Sequence, residues 1–437
     1  MTKKQCKEAL LRGHGRCLQA VREDPKKFRS VVLWACSHLI AFDPQCEGCK
    51  SIFVYELIAC YEDPTPFVDV LIQSLRKTRS QGGWKILYFA EVLSYFAADG
   101  DASAQQVLWE KYEELYGALL KKKRRPEGIF PERDDFAMLC QVLGHQKEAM
   151  LRIAEDIGRL YRTKEFHDGA DFDWLFDSGG KKYRKTLENR AKTSENIAAY
   201  LQAGYAEEAR WEQMRTQRDP QDLPAGPALS RWLARRADGE TVRQYAESYL
   251  SATEPESRTT ALQAFCRCPF PLDPAPIILD AQSKNAALKS AAWDALERIR
   301  HPLVREFALS QLAADMEAAL PLLLVNYQPQ DAEMLVKLVT SIKVDFACTT
   351  NWHGIQMDVL HMEDYGTKAP KVLLRHIYET SYCSCCREFA LYQMGKRRLL
   401  TEEFLEECLL DSNSDIRSYA RGILNRRSNR RCENGSL

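Results

Sequence analysis

The feature that most constrains this chain is a short helical pattern that recurs in its second half. A cation is followed three residues on by alanine and four further on by a large apolar residue. The five copies are Arg258, Ala261 and Phe265; Lys289, Ala292 and Leu296; Arg305, Ala308 and Leu312; Arg387, Ala390 and Met394; and Arg417, Ala420 and Leu424. Steps of three and four place all three residues on one face of an α-helix. Four of the cations directly follow Leu288, Val304, Cys386 or Ile416, which widens the apolar stripe. One such helix cannot bury its stripe alone, whereas stacked copies share a continuous core.

A second element runs with the first: Pro276-Ile277-Ile278-Leu279, Pro321-Leu322-Leu323-Leu324 and Pro370-Lys371-Val372-Leu373-Leu374. Proline is tolerated in a first helical turn, where its missing N–H has no partner to lose. Each is therefore expected to open an apolar helix, with the cation–alanine helix completing the pair. The 30 residues from Arg387 to Arg417 and the 31 from Arg258 to Lys289 suit such pairs. The 16 from Lys289 to Arg305 are too few, so the array is irregular there or one match is fortuitous.

The rest of the chain also reads as helix, with little strand-like alternation and with Gly and Pro punctuating the helical stretches. Residues 1–126 form an N-terminal helical region and 127–216 a middle one. Gln217 to Pro227, with three prolines and a glycine in eleven residues, is a linker. Residues 228–427 carry the repeats and 428–437 a frayed tail that includes part of the basic run Arg426–Arg431.

The 437 residues are 45% hydrophobic and 28% charged, which excludes global disorder. Lys plus Arg and Asp plus Glu are both 61, so no positive excess advertises a nucleic-acid binder. No apolar run is long enough to span a bilayer, and the N-terminus lacks a signal-peptide core. The 15 scattered cysteines then read as reduced thiols of a cytoplasmic protein.

The repeats resemble the HEAT/armadillo-like helical-repeat class. Asp411 stands six residues before Arg417, as in the HEAT pattern, where acid and cation form a ladder between neighbouring repeats. The other four copies lack that Asp. The resemblance covers about 254–427, is generic over 1–216, and extends to bacterial helical-repeat proteins without adding an activity. It implies an all-α fold, a HEAT-like α-solenoid (an α/α superhelix), and a scaffold that holds a protein on the concave face of its second helices. A few members of the class act on DNA as alkylpurine glycosylases, trapping a damaged base between tryptophans near an acid.

Several constellations could carry chemistry. Cys383 and Cys386, with Cys408 and His376 as companions, have zinc-like or redox spacing at a helix start. Cys386 also occupies the apolar position filled elsewhere by Val304 and Ile416, so core packing is the simpler account of it. Cys36 and His38 with Cys46 and Cys49 offer a second zinc set, although residues two apart on a helix point about 200° apart. In the acidic segment His167 to Asp177, Asp173 and Asp177 share a face that could hold a metal or move protons, while Asp171 suits an N-cap. Ser178 to Lys185 could cradle a phosphate but lacks the P-loop pattern. Lys121–Arg125 and Arg426–Arg431 are basic runs without interleaved aromatics. Trp34 and Trp293 fall on apolar stripes and belong to the core.

The expectation is a non-catalytic, cytoplasmic protein-binding scaffold, with no catalytic, cofactor-binding or metal-binding residue and no cofactor assigned. A protein partner is expected and a membrane is not. The alternative is a nucleic-acid-acting protein of the HEAT-like DNA glycosylase type, which requires a continuous basic groove with exposed tryptophans and a carboxylate. The repeat cations are expected to stitch neighbouring helices together through carboxylates or carbonyls.

Overall fold

Short polar residues set where the helices begin. Thr2 and Gln5 form a reciprocal capping box, and the side chains of Asp24, Asp238, Asn285, Asp315 and Thr401 each accept a hydrogen bond from an amide of the helix they open. Prolines 25, 227, 255 and 302 sit in first turns, where their fixed φ suits the helix. In a computed structural model, which describes all residues except 44–46, 80–82, 122–130, 145–146, 165–179, 217–225, 345, 347–349 and 435–437, these signals open an all-helical chain. No strand occurs among the described residues.

Packing divides the chain into two units. The first holds Met1–Gln217, Tyr382–Ser384 and Leu400–Leu437; the second holds Arg218–Ser381 and Cys385–Leu399. The first contains α1 (Lys3–Arg12), α2 (Gly15–Glu23), α3 (Pro25–Ala35), α4 (Cys49–Ile58), α5 (Thr65–Lys77), α6 (Gly83–Ala98), α7 (Ala102–Lys121), α8 (Pro131–Leu143), α9 (Lys147–Lys164), α10 (Gly180–Ala191) and α11 (Glu195–Thr216). The second contains α12 (Pro227–Arg236), α13 (Gly239–Ser251), α14 (Pro255–Gln263), α15 (Ala275–Asp280), α16 (Ala286–Leu296), α17 (Pro302–Gln311), α18 (Met316–Val325), α19 (Ala332–Ser341), α20 (Thr350–Leu360), α21 (Lys371–Thr380) and, from Cys385 onward, α22 (Ser384–Lys396). Then α23 (Glu402–Cys408) and α24 (Ser414–Asn434) return to the first unit.

In the first unit α1, α3, α5, α7, α9 and α11 pack side by side in order, and α2, α4, α6 and α8 do the same. Two crossings need glycine. A Cβ on Gly158 of α9 would stand 1.8 Å from the main-chain oxygen of Asn196 at α11, and one on Gly15 of α2 would stand 2.1 Å from that of Glu407 on α23. Any side chain there would force the helices apart. The return of α23 and α24 is fixed further by the amide of Ser412, which donates to the Gly13 carbonyl at 2.8 Å, and by Arg417, whose guanidinium grips both oxygens of Glu56 at 2.7 and 2.5 Å.

In the second unit α14 packs on α13 and α16, α17 on α15 and α18, α18 on α20, and α21 on α19 and α20. One apolar core runs from Leu229 through Tyr249, Phe265, Ala292 and Val304 to Leu323. The small residue of the repeat pattern marks where helices meet: Ala292, Ala308 and Ala390 are fully buried.

The irregular spacing has a simple origin. Lys289 lies on α16, whereas Arg305 lies on the next helix, α17, so the two copies stand on different members of their helix pairs. Pro321 does not open a helix as expected. Asp315 caps α18 and the helix starts at Met316, so Pro321 falls inside it, where its ring removes a backbone donor. Pro276 and Pro370 do stand at helix starts. The basic run expected to fray is helical as far as Asn434, and Arg427 donates to the Leu400 carbonyl at 2.8 Å.

Candidate functional site

Arg258 of α14 is engaged on every guanidinium nitrogen. Its Nε and Nη2 donate to Asp280 at 2.9 and 2.6 Å, Nη1 reaches the Ala252 carbonyl at 3.2 Å, and the guanidinium lies 4.5 Å from the Tyr249 ring. Burial, and then the hydrogen bond to Asp280, raise the Tyr249 phenol. Arg305 donates to Asp331 at 2.5 Å, and the two side chains are 18% and 6% exposed. Arg387 is fully buried, with its guanidinium 5.8 Å from the Tyr378 ring, whereas Lys289 is exposed. The repeat cations with carboxylate partners are thus structural stitches. Arg417 holds the Glu56 carboxylate, and its Nε donates to the main-chain carbonyl of Asp411.

A polar hollow of the second unit lies at the C-terminal ends of α14 and α16. Gly226, Pro227, Gln263, Cys266, Arg267, Asp294, Glu297 and Arg298 line a hollow of about 390 Å³. Gln263, Arg267 and Asp294 are exposed, and Glu297 and Arg298 are half-buried. Arg298 Nη1 donates to the Tyr365 hydroxyl at 2.9 Å, while its buried Nε has no hydrogen-bond partner among the described residues. Burial raises the Glu297 carboxyl to about 7, with the charges of Asp358 and Asp294 adding to the effect and Arg298 opposing it. Asp358 is raised to about 6, again chiefly by burial, against Arg298 and His361. Glu297, the shifted acid that lines the hollow, is of the kind that clusters at functional sites. Sequence reasoning missed this hollow. Its one sequence signal is Asp294-x-x-Glu297 at the end of a helix, where the backbone dipole disfavours acids.

Cys386 is fully buried at the start of α22, with its sulfur 3.7 Å from His353 Nδ1 and 3.6 Å from Met357 Sδ, both on α20. His376, named as its companion, instead packs edge-on to Trp352, with ring centroids 5.6 Å apart, and burial lowers its pKa. Cys383 and Cys408 are buried and belong to the first unit. Cys36 is fully buried at the end of α3, where burial pushes its thiol up. His38 lies on the Trp34 ring at 4.5 Å, with Nδ1 2.9 Å from the Trp34 carbonyl. Cys46 lies outside the described residues, and the described part of Cys49 is its place at the start of α4.

The acidic segment His167–Asp177 also lies outside the described residues, as do Ser178, Gly179 and positions 122–125 of the first basic run. The rest of the glycine–lysine segment opens α10, where Arg184 pairs with Glu208 at 2.6 Å. Trp84 and Trp211 are exposed, Trp352 is buried, and Trp293 packs against the core with its indole donating to the Ala281 carbonyl at 3.1 Å. Lys7 covers the Trp34 ring at 3.6 Å, and Arg152 covers that of Trp109 at 4.6 Å. No helix among the described residues is long and apolar enough to cross a membrane. No protein-family model and no curated protein matches the chain.

Proposed function

We propose that the second unit is a HEAT-like α-solenoid and that the protein is a non-catalytic scaffold. Its protein partner lies along the second helices of the pairs. The observation that carries this reading is the hollow at the ends of α14 and α16, where two neighbouring second helices and the turns that follow them offer exposed Arg267 and Asp294 beside half-buried Glu297 and Arg298. Support for the architecture comes from helices that pack on both the next and the next but one, over a core continuous from Leu229 to Leu323. Stitches such as Arg258–Asp280 and Arg305–Asp331 hold one helix pair to the next, which suits a rigid surface for an extended partner.

The test reverses the two exposed charges together, Arg267→Glu and Asp294→Lys, in full-length protein used as bait in a nuclease-treated lysate of the source cells. A stoichiometric protein captured by the unaltered chain and lost with the reversal is the expected result. A protein captured equally by both, or a complex that disappears with nuclease treatment, overturns the reading. Circular dichroism of the variant checks that the fold is kept.

A further inference from the structure

Three soft donors converge in the second unit away from the hollow. The Cys386 sulfur has the His353 imidazole nitrogen at 3.7 Å and the Met357 thioether at 3.6 Å. His353 and Met357 are four residues apart on α20, so one helical face presents both to the first turn of α22. We infer that these three side chains form a binding site for a monovalent soft metal ion, copper(I) being the natural occupant.

The two distances from the Cys386 sulfur suit a shared ion. Metal–ligand lengths of about 2.3 Å to sulfur and about 2.0 Å to imidazole separate such donors by roughly 3.5–4.0 Å at trigonal or tetrahedral angles. The donor set selects the metal. Thiolate and thioether together favour copper(I), whereas zinc sites draw on thiolate, imidazole and carboxylate. Burial fits as well: the thiol is fully buried, while His353 and Met357 are only half-buried, which leaves a way in for the ion. Binding exchanges the thiol proton for the metal and leaves the thiolate–copper(I) pair neutral. Desolvating that pair is far less costly than desolvating a lone thiolate.

The test is an anaerobic titration of the reduced full-length protein with copper(I) supplied as its bicinchoninate complex. Unaltered protein is expected to withdraw one equivalent of copper per chain. Cys386→Ser, His353→Asn and Met357→Leu should each weaken that competition by at least as much as the roughly 10–100-fold typical of changes outside the ligand sphere. Cys385→Ser, an exposed neighbour, should leave it unchanged. Met357→Leu keeps the volume and apolar character of the site, so it remains informative where a cysteine variant fails to fold. X-ray absorption of the copper-loaded protein should show a mixed nitrogen and sulfur shell. An all-sulfur shell, competition indifferent to Met357, or no withdrawal of copper overturns the proposal.

Discussion

The buried lysines of the first unit and the paired arginines of the second are seated differently, although Lys111 of the first unit also meets Glu114, and Arg417 there holds the Glu56 carboxylate. In the first, Lys50 and Lys111 are buried lysines that plug the ends of helices. Lys50 donates to the Leu11 carbonyl in the last turn of α1 at 2.5 Å, and Lys111 donates to the Thr78 carbonyl just after α5 at 2.7 Å. In the second, Arg258 and Arg305 pair with the carboxylates of Asp280 and Asp331. A compact ammonium on a flexible stem suits carbonyls that converge at the negative end of a helix, whereas a planar guanidinium suits a carboxylate fork. The close contacts differ in the same way. Helices of the first unit meet through Gly15 and Gly158, while those of the second meet through the alanines of the repeat.

The sharpest way to break this comparison is at the crossings. Gly158→Ala should destabilise the first unit by about 3 kcal/mol or more, because backbone stands where the methyl must go. Ala292→Gly in the second unit should cost only about 1 kcal/mol. Hydrogen exchange read separately over α9–α11 and α14–α18 measures both; equal losses would erase the distinction.

A smaller effect is expected at the cations. Arg305→Met leaves Asp331 buried without its guanidinium and should cost about 2–3 kcal/mol. Lys111→Met leaves a carbonyl short of one donor and should cost about 1–2 kcal/mol. Urea denaturation of the two variants ranks them, and the reverse order would contradict the account of the stitches.

The smallest effect is at the hollow. Glu297 has a folded pKa raised to about 7, above that of an unfolded glutamate. A raised carboxyl favours folding while it is protonated, so its contribution is whole at pH 4 and is lost as pH rises through about 7. Glu297→Gln should therefore raise stability by about 1–2 kcal/mol at pH 8 and change it little at pH 4. Thermal melts across that range follow it, and a gain of equal size at both ends would remove the titration from the explanation.

The all-helical fold and the arginine stitches were legible because helical spacing repeats: Arg258 and Arg305 stand where the pattern puts them and hold their neighbours as expected. The lysine plugs were not, because a backbone carbonyl leaves no trace in the sequence of the residue that meets it. Gly15 and Gly158 look like ordinary helix glycines until α23 and α11 are seen against them. The spacing of Cys383 and Cys386 drew attention to the right thiol. Its neighbours His353 and Met357 were hidden, since a histidine and a methionine four apart on a helix read as plain core. The acids of the hollow were hidden for a related reason: Asp358 reaches Glu297 from another helix.

The binding claim is tested most directly by placing a photo-crosslinking amino acid at either of two exposed positions of the full-length protein in its native lysate. Gln263 borders the hollow on the second helices, and Leu279, 72% exposed on α15, marks the first helices, where Leu250, Leu303 and Val372 are exposed too. A discrete protein adduct at position 263 and none at 279 is the predicted result. An adduct at 279 and none at 263 would put the partner on the first helices and contradict the account.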